Sequence, residues 1–570
     1  MSGIHHGALI LLLLSLGCGT GVQDRGAAQA RSDRPKSAPT RIIAAVSGEL
    51  TGLNYRMTNA AQTVVVVGIK ETESLVNVGL TNLDEKGARR PLLAEAVPST
   101  ENGLWQVFPD GRMETTSTIR SGVRWHDGQP FTSADLLFTY RLARDKEIPS
   151  FDDVAYDAVS SVEALSPTSI KVVWKQPFIF ADSLFSNDGV VPVPSHLLEQ
   201  GYVEDRSGFL DLPYWSQDFV GTGPYRLQDF VRGSHILLNA NDAYALGRPK
   251  IDEIQVRFIA DSNAFIANLL AGAVDVNLNG RMSLEQGINV RDQWPDGRME
   301  IQYAGWISLF PQLMTPGPPI IGDARFRRAL TQAINRQEMT DGLNAGLVPV
   351  AHSHASPTEP DYKALEGSIV KYDYDLRAAT QAIESLGYSR DGEGMFRAAV
   401  TGERLETELR VTAGRDLTTK SALAVANYWQ HAGINAQASV TPTQRASEPE
   451  YRATFPGYYM ANQPNDLGIG GIGRYHSSKT SLPENSFRVT GNHNRYMNPE
   501  FDALIDRYFS TVPKQERLLA LGQILRVQTD QALVTGLFYN AGPILVSNRL
   551  QGVTAMNQAW NVTQWEVRAG

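Results

Sequence analysis

The sequence predicts a mixed α/β fold built as several domains, from three observations. Strand-like and helix-like segments alternate along the body of the chain. The 570 residues are 42% hydrophobic and 20% charged, enough for roughly three to four domains at about 150 residues each. No period of fixed length recurs, so a solenoid or propeller is not expected.

The elements follow in chain order. Residues Ala8 to Leu16 read "ALILLLLSL" and lead into "GCGT". This run is too short to span a bilayer, which takes about 20 residues, but it suits the core of an export signal. Gly17 before the lone Cys18 resembles a bacterial lipobox, in which the cysteine is lipidated and becomes the new N-terminus. The other reading is an ordinary secretory signal cleaved nearby. Residues 19–40, rich in Gly, Ala, Ser, Pro and charge, read as a flexible tether. With Cys18 as the single cysteine, the mature body has no disulfide, thiol nucleophile or cysteine-ligated metal. No later stretch approaches 18 apolar residues, so the body is expected to be soluble.

The body opens on a strand from Arg41, and "SIKVVWK" (Ser169–Lys175) and "DEIQVRFI" (Asp252–Ile259) follow as strands. In the latter, Ile254, Val256 and Phe258 share a face. Asp261 or Ser262 caps a helix with a stripe of Phe265, Ile266, Leu269 and Leu270, ended by Gly272. "DARFRRALTQAINRQEM" predicts one helix with Phe326, Ala329, Leu330, Ala333 and Ile334 on its buried face. "YDLRAATQAIESLGY", "PEFDALIDRYF" (entered at Pro499) and "ERLLALGQILRVQTD" predict three more.

The net charge of −9 argues against a sequence-independent nucleic-acid binder, which needs a basic face. "GIGGIG" (Gly468–Gly473) satisfies G-x-G-x-x-G. With 49 glycines, about 0.4 such matches arise by chance in a chain this long. Its flanks, "MANQPNDL" and "RYHSSKTSLPENS", describe a loop rather than a strand and a helix, so no nucleotide cofactor is expected. A G-x-S-x-G nucleophile turn and H-E-x-x-H are both absent. His352 and His354 form an H-x-H pair that reads as a polar loop rather than a metal site, and His196 reads as a surface or helix-cap residue. His126 and Asp127 look like a dyad on paper but sit at a glycine turn before a helix capped by Thr132 or Ser133. No catalytic residue, metal or cofactor is therefore expected.

Several ordered blocks carry a family resemblance. "STIRSGVRWHDGQPFTSADLLFTYRLARD" (Ser117–Asp145) is the most specific, through Arg120, Gly122, Val123, Trp125, His126, Asp127, Gly128, Thr132, Ala134 and Asp135. "LAEAVPS" precedes it. "FVGTGPYRL", the segment "NANDAYALGRPKIDEIQVRFIADSNAFIANLLAGAVDV", "NPEFDALIDRY" and "LFYNAGPILVSNRLQGV" follow in order. Together they resemble the family 5 extracellular solute-binding proteins, the peptide- and nickel-binding receptors of ABC importers, from about Arg41 to Val553.

The resemblance implies a two-lobed α/β clamshell of the type II periplasmic-binding-protein class. The first lobe would comprise 41–84, 220–304 and 535–570, with an additional domain at 85–219 and the second lobe at 305–534. It implies a receptor, not an enzyme, that captures oligopeptides or similar solutes between the lobes. The solute would pass to a permease with its ATPase subunits. A nickel chelate, haem, an oligosaccharide or an opine are the other solutes implied. A cell-surface hydrolase and an envelope chaperone are the readings from other classes. The family's amine-pairing acid lies in a W-x-x-D-Y-x-D-P-like stretch, to which Tyr458–Ser478 corresponds, without the tryptophan or the D-P pair. Asp466 is the candidate acid, after Asn462 and Asn465. Tyr458, Tyr459, Asn462, Glu49 and Trp306 are the other candidate ligand contacts. The protein would lie in the periplasm or at the cell surface, held to a membrane through a lipid on Cys18.

Overall fold

β1 (Arg41–Val46) shows why the sheet is central: Ile42, Ala44, Ala45 and Val46 are all buried, so both of its faces are covered. The computed structural model describes residues 39–568 except 61–67, 152, 279–281, 415, 443, 469, 490 and 555–558. The leader, Cys18 and nearly all of the tether lie outside the described residues. Numbering only the strands of the main sheet, the others are β2 (Tyr225–Val231), β3 (His235–Ala240), β4 (Glu253–Phe258), β5 (Val276–Asn277) and β6 (Gly297–Pro311). β7 (Glu406–Thr412), β8 (Asn435–Thr441), β9 (Tyr458–Gln463) and β10 (Thr535–Ser547) complete it. Their order is β8-β7-β9-β6-β10-β5-β1-β4-β3-β2. β1 runs parallel to β4 and β5, whereas β2, β3 and β4 form an antiparallel edge.

Two long strands join the lobes. β6 and β10 pair antiparallel from Gly297↔Ser547 to Leu309↔Thr535. At one end β10 meets β5 of the first lobe through Val276↔Val546. At the other, Trp306 to Pro311 of β6 pair with Gln463 to Tyr458 of β9 in the second lobe. Between these ends the register slips at Tyr303/Gly305. Gly305 has φ 155°, and a Cβ there would stand 2.4 Å from the Gln463 carbonyl oxygen. Only glycine lets the two backbones approach this closely at the crossing.

The segment around the most specific block forms a separate four-stranded antiparallel sheet from Trp105–Val107, Met113–Thr118, Val159–Ser166 and Ser169–Trp174. Asp135 organises the block. Its carboxylate accepts from the Trp125 indole N–H (3.2 Å), the Thr132 N–H (2.9 Å) and both the N–H and hydroxyl of Ser195. Thr132 closes a capping box on the helix Ser133–Arg144. His126 ties the block to "GTGPY": its Nδ1 accepts from the Gly221 N–H (3.2 Å), which leaves Nε2–H to donate to the Gly223 carbonyl (3.0 Å). Burial pushes the His126 pKa down to about 4, so the ring is neutral. Asp127 bonds to His196 instead (2.6 Å), so His126 and Asp127 form no dyad. The strand pair Thr81–Leu83 and Arg89–Pro91 straddles residue 84, and one hydrophobic core contains Ile42, Trp125 and Trp565 alike.

One helix expectation needs correction. The predicted single helix is two, Ala324–Gln332 and Arg336–Asn344, with the turn at Ala333–Asn335. Asn335 caps the second by accepting from the Glu338 N–H (3.2 Å), a side-chain alternative to continued helix. Helices Asp416–His431 and Ala324–Gln332 cover one face of the second-lobe sheet, and the pair Pro499–Ser510 and Lys514–Asp530 covers the other.

Candidate ligand-binding site

A cleft of about 750 Å³ opens between residues 83–189 on one wall and residues 359–521 of the second lobe on the other. The walls touch where the Ile179 N–H donates to the Phe509 carbonyl (3.2 Å) and the rings of Phe180 and Phe509 meet at 6.0 Å. Phe178, Ile179, Leu467, Tyr508 and Leu518 supply apolar surface. The charge is one-sided. The cleft's lining residues include six acids, Asp153, Asp182, Asp188, Glu359, Asp361 and Asp466, against three bases, Arg89, Lys514 and Arg517.

Most of these acids are neutralised internally. Arg89 grips Asp188 through two bonds (2.8 and 2.9 Å) and Asp182 at 3.3 Å. Lys514 pairs with Asp361 at 2.8 Å, and Arg56 pairs with Asp153. Glu359 and Asp466 have no basic partner among the described residues. Burial raises the Glu359 pKa, and the charges of Asp466 and Asp361 raise it further. A cation placed between Glu359 and Asp466 would relieve that repulsion, so the site is built to accept positive charge.

Asp466 also explains the glycine pattern. Its Oδ1 accepts from the N–H groups of Gly468 (2.9 Å) and Gly471 (3.0 Å), so the loop winds back onto its own carboxylate. A Cβ on Gly471 would lie 1.7 Å from the Asp466 carbonyl oxygen, which excludes any side chain there. The described residues of "GIGGIG", all but Ile469, thus form a loop beside Asp466 at the cleft, and among the described residues only the three-residue turn Gly473–Tyr475 directly follows it, not a helix suited to a pyrophosphate.

The other sequence candidates are dispersed. Tyr458 does not line the cleft: it is buried against Trp429 (5.0 Å) under the helices, because successive strand residues point to opposite faces. Tyr459, on the other face, lines a smaller cavity within the second lobe. Trp306 lies just past the crossing and is fully buried, its ring 4.4 Å from His354, so it packs rather than lines the cleft. Asn462 pairs through its backbone with Ile307, and its Oδ1 is buried without a partner beside Gly305. Glu49 accepts from the Gly233 N–H (2.9 Å) at the β2–β3 turn and lies outside the cleft lining. Sequence reasoning missed Glu359, which sits in "SPTEPDY" with no local pattern to mark it.

His352 and His354 form no polar surface loop. His354 is fully buried beside Trp306 and Tyr475, and burial pushes its pKa down to about 3. Among the described residues no group of three or more His, Cys, Asp or Glu side chains is placed to hold a metal. No described helix is long and apolar enough to cross a membrane.

Comparison with known proteins gives this geometry a family. The family model described as "Bacterial extracellular solute-binding proteins, family 5 Middle" matches residues 90–473. The chain belongs to this family. Among relatives of this solute-binding protein, the oligopeptide-binding protein AppA of Bacillus subtilis is 22% identical over 98% of this chain and 97% of its own length. The structure of AppA in complex with a nonapeptide superposes with a TM-score of 0.65 at 19% identity, over 93% of this chain and all of AppA. NikZ from Campylobacter jejuni, in complex with Ni(L-His), superposes with a TM-score of 0.67 at 20% identity, over 92% of this chain and 99% of NikZ. The two-lobed α/β type II fold is common to all three chains.

Proposed function

We propose that this family 5 solute-binding protein is the receptor of an ABC importer for oligopeptides or similar cationic solutes. The observation that carries the reading is the cleft between residues 83–189 and residues 359–521, with Glu359 and Asp466 lacking basic partners. A peptide amine would sit between these two carboxylates, and closure would bury it against the apolar wall of Phe178 and Ile179. Closure follows because a solute touching both walls binds the closed form better than the open one. The roomy remainder of the cleft, about 750 Å³ in all, suits varied side chains. The likeness to AppA supports a peptide, and the excess negative charge opposes an anionic chelate.

The lobe division set out from the sequence frames this reading: 41–84, 220–304 and 535–570 as the first lobe, 85–219 as an additional domain, 305–534 as the second. The capture role needs no catalytic group. Export with a lipid on Cys18 would hold the receptor beside its permease; labelling with a radioactive fatty acid, lost in Cys18→Ala, tests this. The solute is tested by native mass spectrometry of protein purified from its own host. A co-purifying peptide mixture is expected, and a single metal-chelate or sugar mass would replace the reading. Glu359→Gln is expected to weaken peptide binding about tenfold, the scale of one charge-assisted hydrogen bond.

A further inference from the structure

A second cavity, of about 250 Å³, lies wholly within the second lobe, and every residue lining it falls between 449 and 495. Its charge is the reverse of the cleft's. Arg452, Arg474 and Arg495 all line it, and no aspartate or glutamate is among the lining residues.

Arg495 is the informative member. Its residue is only 6% exposed, its Nε is buried without a hydrogen-bond partner, and no described carboxylate pairs with it. It also holds a left-handed backbone, φ 53°, which non-glycine residues seldom adopt. A buried guanidinium N–H without a partner costs stability, and the charge of Arg495 is left for a ligand in the cavity it lines. Arg474 is fixed: its Nε donates to the Gly470 carbonyl (2.7 Å) and its Nη1 to the Gln463 side-chain oxygen, neither of which neutralises its charge. Arg452 is exposed and makes no ion pair with a described residue. His493 adds no charge, because burial and the neighbouring Arg474 and Arg452 push its pKa down to about 3. It and Asn492, whose Oδ1 is buried without a partner, supply neutral polar atoms.

We propose that this cavity is a second binding site, for a small oxyanion, carboxylate or phosphate, held by Arg495, Arg474 and Arg452. Guanidinium groups match the oxygens of such anions in pairs, and an anion among three of them removes both the desolvation imbalance and their mutual repulsion. The site is separate from the solute cleft. The two share no lining residue: Asp466 and Gly468 line the cleft, and Arg474 lines the cavity. Because one lobe supplies all of its lining, the anion would bind whether the clamshell is open or closed.

The test titrates inorganic phosphate and acetate into the full chain, at ionic strength held constant with chloride. Calorimetry should give a saturable heat. Thermal unfolding should show a rise of about 2 °C at a hundred times Kd, for a chain of this length. Arg495→Met should weaken binding at least tenfold. Arg452→Ala should weaken it too, and its exposed position keeps folding out of the comparison. In crystals soaked with tungstate, the anomalous peak should lie between Arg452 and Arg495. A response no larger than chloride's, an unchanged Kd in Arg452→Ala, or a peak elsewhere would overturn the proposal.

Discussion

Replacing Asp466 in two ways separates its two roles. In Asp466→Asn the side-chain oxygen can still accept from the Gly468 and Gly471 N–H groups, now at 2.9 and 3.0 Å, so the loop keeps its shape while the charge is lost. In Asp466→Ala both bonds go as well. The charge facing a peptide amine at about 4 Å is worth about 1 kcal/mol in water and about 4 kcal/mol at an effective dielectric constant of 20. Asp466 is exposed at the cleft wall, so a loss of about 1–3 kcal/mol, roughly fivefold to 150-fold in Kd, is expected from Asp466→Asn. Calorimetry with one peptide in its free and N-acetylated forms reads this directly. Wild type should prefer the free amine, and Asp466→Asn should lose most of that preference with little change in melting temperature. Asp466→Ala should lose the preference and melt lower as well. If Asp466→Asn discriminates between free and acetylated peptide as well as wild type does, Asp466 does not read the amine and the reasoning fails.

Three further outcomes are expected. Gly305→Ala should lower the urea midpoint by an amount equivalent to about 1–3 kcal/mol, since its Cβ meets the Gln463 carbonyl oxygen at 2.4 Å; an unchanged midpoint would mean the crossing relaxes freely. Glu73 is buried, accepts from Asn54 Nδ2 (2.9 Å), and burial raises its pKa to about 7. An acid whose folded pKa is raised binds its proton more tightly in the folded state. Its contribution is therefore full below pH 4.5 and falls as pH rises toward 7, by on the order of 3 kcal/mol. Glu73→Gln should flatten the stability profile in that window, and a slope unchanged from wild type would assign it to other groups. His126→Ala should cost about 1–3 kcal/mol of stability by orphaning the Gly221 N–H and the Gly223 carbonyl, while peptide affinity stays the same. A matching loss of affinity would place His126 in binding instead.

Local signals in the chain carried much of the architecture. Asp261, Asp375 and Asn498 cap helices where the sequence places helix starts, because a cap needs only a side chain and the next turn's N–H groups. Strand faces were also visible: Ile254 and Val256 are buried together. The break at Asn335 was hidden, since the apolar stripe runs through it and the competing side-chain bond has no periodic trace. The strand of Tyr458 and Tyr459 was readable as a pair of aromatics, but which of them faces helices depends on what packs on each side of the sheet.

By itself, then, the sequence determined the family, the α/β class and the loop that holds Asp466, all of which rest on contiguous residues. Tertiary structure alone decided the electrostatics. Glu359 and Asp466 line the same wall of the cleft although they lie about a hundred residues apart in the chain, and neither pairs with a base, while Lys514, Arg89 and Arg56 are held by other acids. The same holds for Arg452, Arg474 and Arg495. In the chain they are three ordinary arginines, and folding brings them to one cavity whose lining holds no carboxylate, because Coulomb interactions depend on distance and burial rather than on order along the backbone.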